Sequence, residues 1–146
     1  METRIKIHEI LPDAFKAMYG LEAYVQKSGL DKKLHELIKI RASQINGCAY
    51  CLDMHTKDAR KAGESEQRIY VLPGWRETDL FTAEEQAVLA LTEEITNIQG
   101  HVKEATYQQA VNVLGEVKTG QVIVAAVTIN AWNRIAITTH LMPERA

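Results

Sequence analysis

The sequence predicts an all-α fold, a compact bundle of about six to seven helices. Three observations carry that expectation. Apolar residues recur at helical spacing, as in Leu34, Leu37, Ile38, Ala42 and Ile45. Helix stops such as Ser28-Gly29, Asn46-Gly47, Gly63 and Gln99-Gly100 separate one periodic segment from the next. No alternating segments offer strands that would pair with one another.

The elements follow in order. Pro12 and Asp13 open a helix over about residues 12–27, because proline at a first helical position lacks only a donor that has no partner there anyway. Asp31 starts a second helix, broken by Asn46-Gly47, two residues that tolerate left-handed backbone. A third covers about residues 48–62 and a short fourth about residues 65–72. Pro73-Gly74 is the sharpest punctuation. Thr82-Ala83-Glu84-Glu85 reads as a capping box, in which hydroxyl and carboxylate satisfy each other's free backbone donors. The helix it opens runs to about residue 98, with Ala87, Leu91, Ile95 and Ile98 on one stripe. Further helices span about residues 103–114 and 119–139. The Val- and Ile-rich stretch 121–129 has strand composition. Helix is preferred there, since Val122, Ala125, Ala126, Ile129, Trp132, Asn133 and Ala136 keep helical spacing beyond strand length.

Bulk properties narrow the function. At 146 residues, a single domain over residues 1–146 is expected. The composition is 46% hydrophobic and 25% charged, ordinary for a globular protein. The formal net charge is −2, and the densest basic segment (Lys57, Arg60, Lys61) is interrupted by Asp58, so no nucleic-acid partner is expected. The opening Met1-Glu2-Thr3-Arg4 leads into mixed charge rather than an apolar signal. The most apolar run, 122–129, is far short of the roughly 20 residues of a membrane span. The expected location is cytoplasmic, with no membrane partner.

The chemistry concentrates in Cys48-Ala49-Tyr50-Cys51-Leu52-Asp53-Met54-His55, which holds the chain's two cysteines. At 3.6 residues per turn, Cys48, Cys51 and His55 share one helix face. Cys48 lies at the helix start, where free amides and the helix dipole favour an anion such as a thiolate. Imidazole is a side chain able to relay protons at neutral pH, which makes His55 the relay candidate. If Asn46-Gly47 folds the second and third helices back on each other, Glu36 comes within about one turn of His55 and would orient its imidazole. The same four side chains would also meet the ligand number of tetrahedral zinc, so a zinc-binding structural module is the rival reading.

Glu36, eleven residues, Cys48-x-x-Cys51, three residues, His55: this spacing resembles the signature of the alkyl hydroperoxidase D (AhpD) family, within the wider carboxymuconolactone decarboxylase-like group. Leu37 to Arg41, Asn46-Gly47-Cys48 and Trp75-Arg76-Glu77 resemble its small peroxidase-related members. The likeness extends over roughly residues 11–134. It implies an all-α fold assembled into homotrimers or homohexamers. It implies reduction of hydroperoxides or of partner disulfides, an antioxidant, peroxiredoxin-type activity that needs no cofactor and no metal. By the motif, Cys51 corresponds to the thiol that attacks peroxide, and Cys48 to a resolving thiol nearer the surface. Glu36 and His55 correspond to the proton relay. A dithiol electron donor, lipoyl or thioredoxin-like, would restore the pair. The chain departs from the best-known members at Tyr50, where they carry a histidine. A phenol, with pKa about 10, is a poor proton shuttle at neutral pH but can donate a hydrogen bond. The wider group also admits a decarboxylase-like lyase, whose activity would not need the cysteines.

Other polar residues have plainer readings. His35 and His8 are expected on the surface, His101 and His140 as solvated or capping residues, and Trp75 in core or interface. Asn130, Asn133 and Arg134 are expected to form a hydrogen-bond network between helices or subunits.

Overall fold

Residues 34–40 are buried without interruption, and a helix achieves that only when it is covered on every side. That helix, α3 (Lys32–Asn46), is the axis of the fold. Asp31 caps its start, its Oδ1 accepting from the backbone of Lys33 at 3.0 Å and Leu34 at 3.2 Å. Gly47 ends it at φ 71°, a left-handed turn that strains any residue with a Cβ, and the chain doubles back into α4 (Ala49–Lys61).

The computed structural model describes residues 2–145. Around α3 and α4 stand α1 (Ile7–Ile10), α2 (Pro12–Lys27), α5 (Glu66–Val71), α6 (Ala83–Thr96), α7 (Glu104–Leu114) and α8 (Glu116–Thr139). No strand occurs among the described residues. Stretch 121–129 is helical as expected, inside α8. The expected capping box is present: Thr82 N–H donates to Glu85 Oε2 at 2.8 Å, and Glu85 N–H to Thr82 Oγ1 at 3.2 Å.

Three details differ from the sequence expectation. The four-residue turn α1 is too short to leave a periodic signal. The Pro73-Gly74 stop lies inside a 3₁₀ segment, Leu72–Glu77, that continues directly from α5. Proline fits there because its missing N–H falls in the first turn. The last helix starts at Glu116 and is 24 residues long, so the run 122–129 understates it. By length and composition α8 is able to cross a membrane, with mean hydropathy 1.3 over its most apolar window. Half of that window is buried inside this chain, where α8 packs on α2, α3, α4, α6 and α7.

The apolar faces of α3 divide the core in two. Leu34, Ile38 and Ala42 pack with Val88 and Leu91 of α6 and with Val122, Ala126 and Ile129 of α8. Leu37 and Ile40 pack on the other side with Ala59, Leu72, Trp75, Phe81 and Leu89. Trp75 is therefore core, and its indole N–H donates to Glu93 at 2.9 Å. Where α3 meets α8, a polar network joins the helices within the chain. Asn46 Nδ2 donates to Asn130 Oδ1 at 2.9 Å and Asn133 Oδ1 at 2.8 Å. Asn133 Nδ2 in turn donates to Ser43 Oγ at 3.0 Å. The third face of α3, carrying His35, Glu36 and Lys39, is turned to a cavity.

Candidate active site

Each functional side chain owes its place to the α3–α4 hairpin. Cys48 is the N-cap of α4, and its Sγ accepts the Cys51 backbone N–H at 3.4 Å. Its own N–H is tied to Ser43 O at 3.0 Å. These two bonds turn the Cys48 sulfur inward, towards the junction with α8. Cys48 and Cys51 are both unbridged thiols, 1% and 2% exposed. The expectation that Cys48 lies nearer the surface is thus corrected: the N-cap bond buries it, and Cys51, not Cys48, lines the cavity.

The two thiols differ electrostatically. The hydrogen bond from the Cys51 thiol, aided by the Cys51 backbone N–H and the Asn133 side chain, outweighs burial and lowers the Cys48 pKa to about 7. The same hydrogen bond, then burial and the charge on Cys48, push the Cys51 thiol up. The reduced pair therefore holds one negative charge between two sulfurs near neutral pH.

One turn along α4, His55 is buried with its Nδ1 2.9 Å from Glu36 Oε2. A carboxylate only accepts, so Nδ1 carries the proton, and Nε2 is left as the working nitrogen. Residues i and i+4 of a helix are neighbours, which places His55 beside Cys51. On its other oxygen, Glu36 faces Lys39 Nζ at 3.8 Å, and Lys39 is bonded to Glu22 Oε1 at 2.7 Å. Burial alone would raise the Glu22 carboxyl, but the Lys39 ammonium more than offsets it and holds the carboxyl below its ordinary range. Tyr50 is half-buried on the cavity wall, its phenol pushed up by burial, so it enters as a neutral donor.

All five residues singled out from sequence thus meet at one place. Cys51, His55, Glu36 and Tyr50 line a cavity of about 660 Å³, and Cys48 stands behind Cys51. Sequence reasoning missed three contributors. Lys39 and Glu22 form a buried ion pair across two helices, and only the helical pairing brings them together. Asn133, read as part of a network, also helps to lower the Cys48 pKa. His35, expected on the surface, is 6% exposed, because it belongs to the uninterrupted buried run of α3. Among the described residues, no three of His, Cys, Asp and Glu are arranged to hold a metal ion. The nearest set is engaged otherwise, Glu36 with His55 and the thiols with each other.

Residues 11–94 match the carboxymuconolactone decarboxylase family, and the chain belongs to that family. It is 44% identical over 138 residues to the uncharacterized protein YdfG of Bacillus subtilis, covering 94% of each chain. Its fold superposes with a TM-score of 0.96 and 38% identity on a protein of unknown function from Agrobacterium tumefaciens, for which AhpD-type antioxidant defence has been suggested; the match covers 99% of this chain and 100% of that one. A shorter likeness, 42% identical over 45 residues, links it to the alkyl hydroperoxide reductase AhpD of Coxiella burnetii, spanning 31% of this chain and 25% of that protein. The fold is AhpD-like.

Proposed function

We propose that this chain is a thiol-dependent, peroxidase-type oxidoreductase, with residues 1–146 as one catalytic domain. The observation that carries the reading is the convergence of Cys51 and the Glu36–His55 pair on one cavity, with Cys48 hydrogen-bonded behind. The family match and the AhpD-like relatives support it at a coarser level.

The chemistry follows from the single shared charge. Moving the proton from Cys51 to Cys48 along their hydrogen bond puts the thiolate on the sulfur that faces the cavity. Cys51 attacks the terminal oxygen of a hydroperoxide; an S–O bond forms and the O–O bond breaks. His55 delivers a proton from solvent to the departing alkoxide, and Glu36 holds the imidazole in position. Cys48 then attacks the Cys51 sulfenic acid. The S–S bond forms, and hydroxide leaves with the Cys48 proton as water. A dithiol donor, lipoyl or thioredoxin-like, reduces the disulfide by two thiol–disulfide exchanges and is itself oxidised to a disulfide. A partner disulfide can take the place of the hydroperoxide in the first step.

The reading places the protein in a reducing compartment, the cytoplasm, where a dithiol is maintained. It also places it in a homotrimer or homohexamer. Support comes from Ile10, Leu11, Tyr19 and Tyr24, each more than half exposed on α1 and α2 or the residue that joins them.

The test is one equivalent of organic hydroperoxide added to the reduced protein. Both titratable thiols should disappear and a Cys48–Cys51 bond should appear by mass spectrometry. Cys48→Ser should stop at the sulfenic acid and Cys51→Ser should not react. Equal consumption by all three proteins ends the reading, and an activity that survives loss of both cysteines moves the protein to a lyase class.

A further inference from the structure

The two sulfurs of the pair face different directions. Cys51 belongs to the wall of the cavity of about 660 Å³, and Cys48 does not line it. Gly47 and Ala49 on either side of Cys48 are exposed, but Cys48 itself is 1% exposed, so its backbone is near the surface and its sulfur is not. Its N–H is tied to Ser43 O at 3.0 Å, its sulfur accepts the Cys51 N–H at 3.4 Å, and Ala136 of α8 packs with both cysteines. A thiolate attacks a disulfide in line, entering at one sulfur on the side opposite the other, and the sulfur not attacked leaves with the bonding pair. A bond between Cys48 and Cys51 runs from the cavity wall into the junction of α3, α4 and α8. The cavity therefore offers the in-line approach to Cys51, with Cys48 as leaving group. The opposite approach, to Cys48, would have to pass through the packed junction.

We propose that the reducing thiol attacks Cys51 from the cavity, so that Cys51 carries both the sulfenic acid and the mixed disulfide, while Cys48 never bonds to an atom outside the chain. The inference rests on the thiol-redox reading of the same site and deepens it by fixing which sulfur each partner meets. In the first exchange the donor thiolate forms a bond to Cys51 Sγ, the Cys48–Cys51 bond breaks, and Cys48 departs as a thiolate. It departs onto the Cys51 backbone N–H at the start of α4, where the helix dipole favours an anion. The Cys51 thiol, the largest influence lowering the Cys48 pKa in the reduced pair, is occupied at this stage, but the Cys51 backbone N–H and the Asn133 side chain remain. A thiol of lowered pKa leaves faster. In the second exchange the donor's other thiol attacks the donor sulfur of the mixed disulfide and releases Cys51. The donor leaves as a disulfide, oxidised by two electrons. Of its two protons, one is retained by the cysteine pair and one goes to solvent. Oxidant and reductant thus take turns at one sulfur and exclude each other from one cavity.

Diamide closes a dithiol without a hydroperoxide, so the test does not depend on peroxidase activity. Oxidised wild-type protein is mixed with excess N-acetylcysteamine, a slim monothiol, quenched in acid at a series of short times and capped with N-ethylmaleimide. Fragment masses between residues 48 and 51 then place the adduct. Extrapolated to zero time, N-acetylcysteamine should sit on Cys51 about tenfold or more over Cys48. An adduct chiefly on Cys48, or shared equally, overturns the proposal. The single-thiol variants give an independent reading. Reduced Cys48→Ser and Cys51→Ser are each offered the 2-pyridyl disulfide of N-acetylcysteamine, and the released thiopyridone is followed by absorbance. Cys48→Ser should react about tenfold faster, although the thiol left in Cys51→Ser keeps the cap amide that favours its thiolate. Equal rates, or the reverse order, overturn the route through the cavity. A protein that passes both measurements but is not oxidised by hydroperoxide loses the peroxidase reading and keeps this one.

Discussion

His55 Nδ1 stands 2.9 Å from Glu36 Oε2, closing a contact between two helices across nineteen positions of sequence. Both side chains are buried, and the bond fixes which face of the imidazole meets Cys51. Glu36→Gln keeps the shape but removes the charge that orients the ring and supports its cationic form. The expected result is a fall of about 10²- to 10⁴-fold in hydroperoxide-dependent oxidation of the dithiol, the usual range for losing a positioned acid–base group. Stopped-flow loss of thiols under single-turnover conditions checks it. An unchanged rate removes Glu36 from the relay.

The thiol pair yields a pH prediction. With the Cys48 pKa lowered to about 7 and Cys51 raised, one thiolate per chain should appear as pH rises through about 7. The second should not appear until well into alkali. Ultraviolet thiolate absorbance of the reduced protein measures this directly. In Cys51→Ala the hydrogen bond that contributes most to the shift is lost, so the Cys48 midpoint should climb back towards 9.0. Reaction with hydroperoxide should be slower at pH 6 than at pH 8 for the same reason. Two thiolates titrating together near neutrality would sink the shared-charge account.

Much of this centre was legible in the sequence because it is local. Cys48, Cys51 and His55 lie on one helix, and helical period alone puts them on one face. Glu36 was within reach because Asn46-Gly47 announces the hairpin and Gly47 adopts the left-handed turn at φ 71°. What stayed hidden is what depends on tertiary packing. His35 and Lys39 look like surface residues of an amphipathic helix, yet α3 is enclosed on all sides. The inward turn of Cys48 depends on a backbone bond to Ser43 and a cap bond to Cys51, and residue spacing does not encode either. The α8 boundary moved for a similar reason: Glu116 and Lys118 are charged and Val117 is exposed, so this stretch shows no core period, but it extends a helix whose core face starts at Thr119.

Glu93 is the structural counterpart of Glu36 on the other side of α3. It accepts from Arg41 Nε at 2.7 Å, Trp75 Nε1 at 2.9 Å and Arg76 Nη1 at 2.5 Å, which together hold its carboxyl below the ordinary range against burial. Glu93→Ala leaves Arg41 Nε and the Trp75 indole without their acceptor inside the fold, while Arg41 Nη1 keeps Gln44. A loss of about 2–4 kcal/mol is expected, visible as a lower urea midpoint with an unchanged slope. The thiol titration should be unaffected, because Glu93 does not line the cavity.

Lys39 separates stability from chemistry. Its ammonium lies 2.7 Å from Glu22 and 3.8 Å from Glu36 in a site where all three side chains are largely buried. Lys39→Met leaves two buried carboxyls with no cation between them. Removing one partner of a buried pair costs about 3–5 kcal/mol, so a marked fall in the urea midpoint at pH 7 is expected. The pH dependence gives the diagnostic sign. In the wild type the Glu22 pKa is depressed from 4.5, so its contribution is present above 4.5 and lost as pH falls through the lower folded value. Without Lys39, burial, the largest influence on Glu22, is opposed only by the smaller effects of His35 and Gln26 and raises the pKa. A raised carboxyl stabilises the fold as pH falls, because the folded state then takes up the proton first. Between pH 7 and pH 4.5 the variant should therefore recover stability relative to wild type. If the difference between the two proteins stays constant over that interval, Lys39 is not what holds Glu22 ionised.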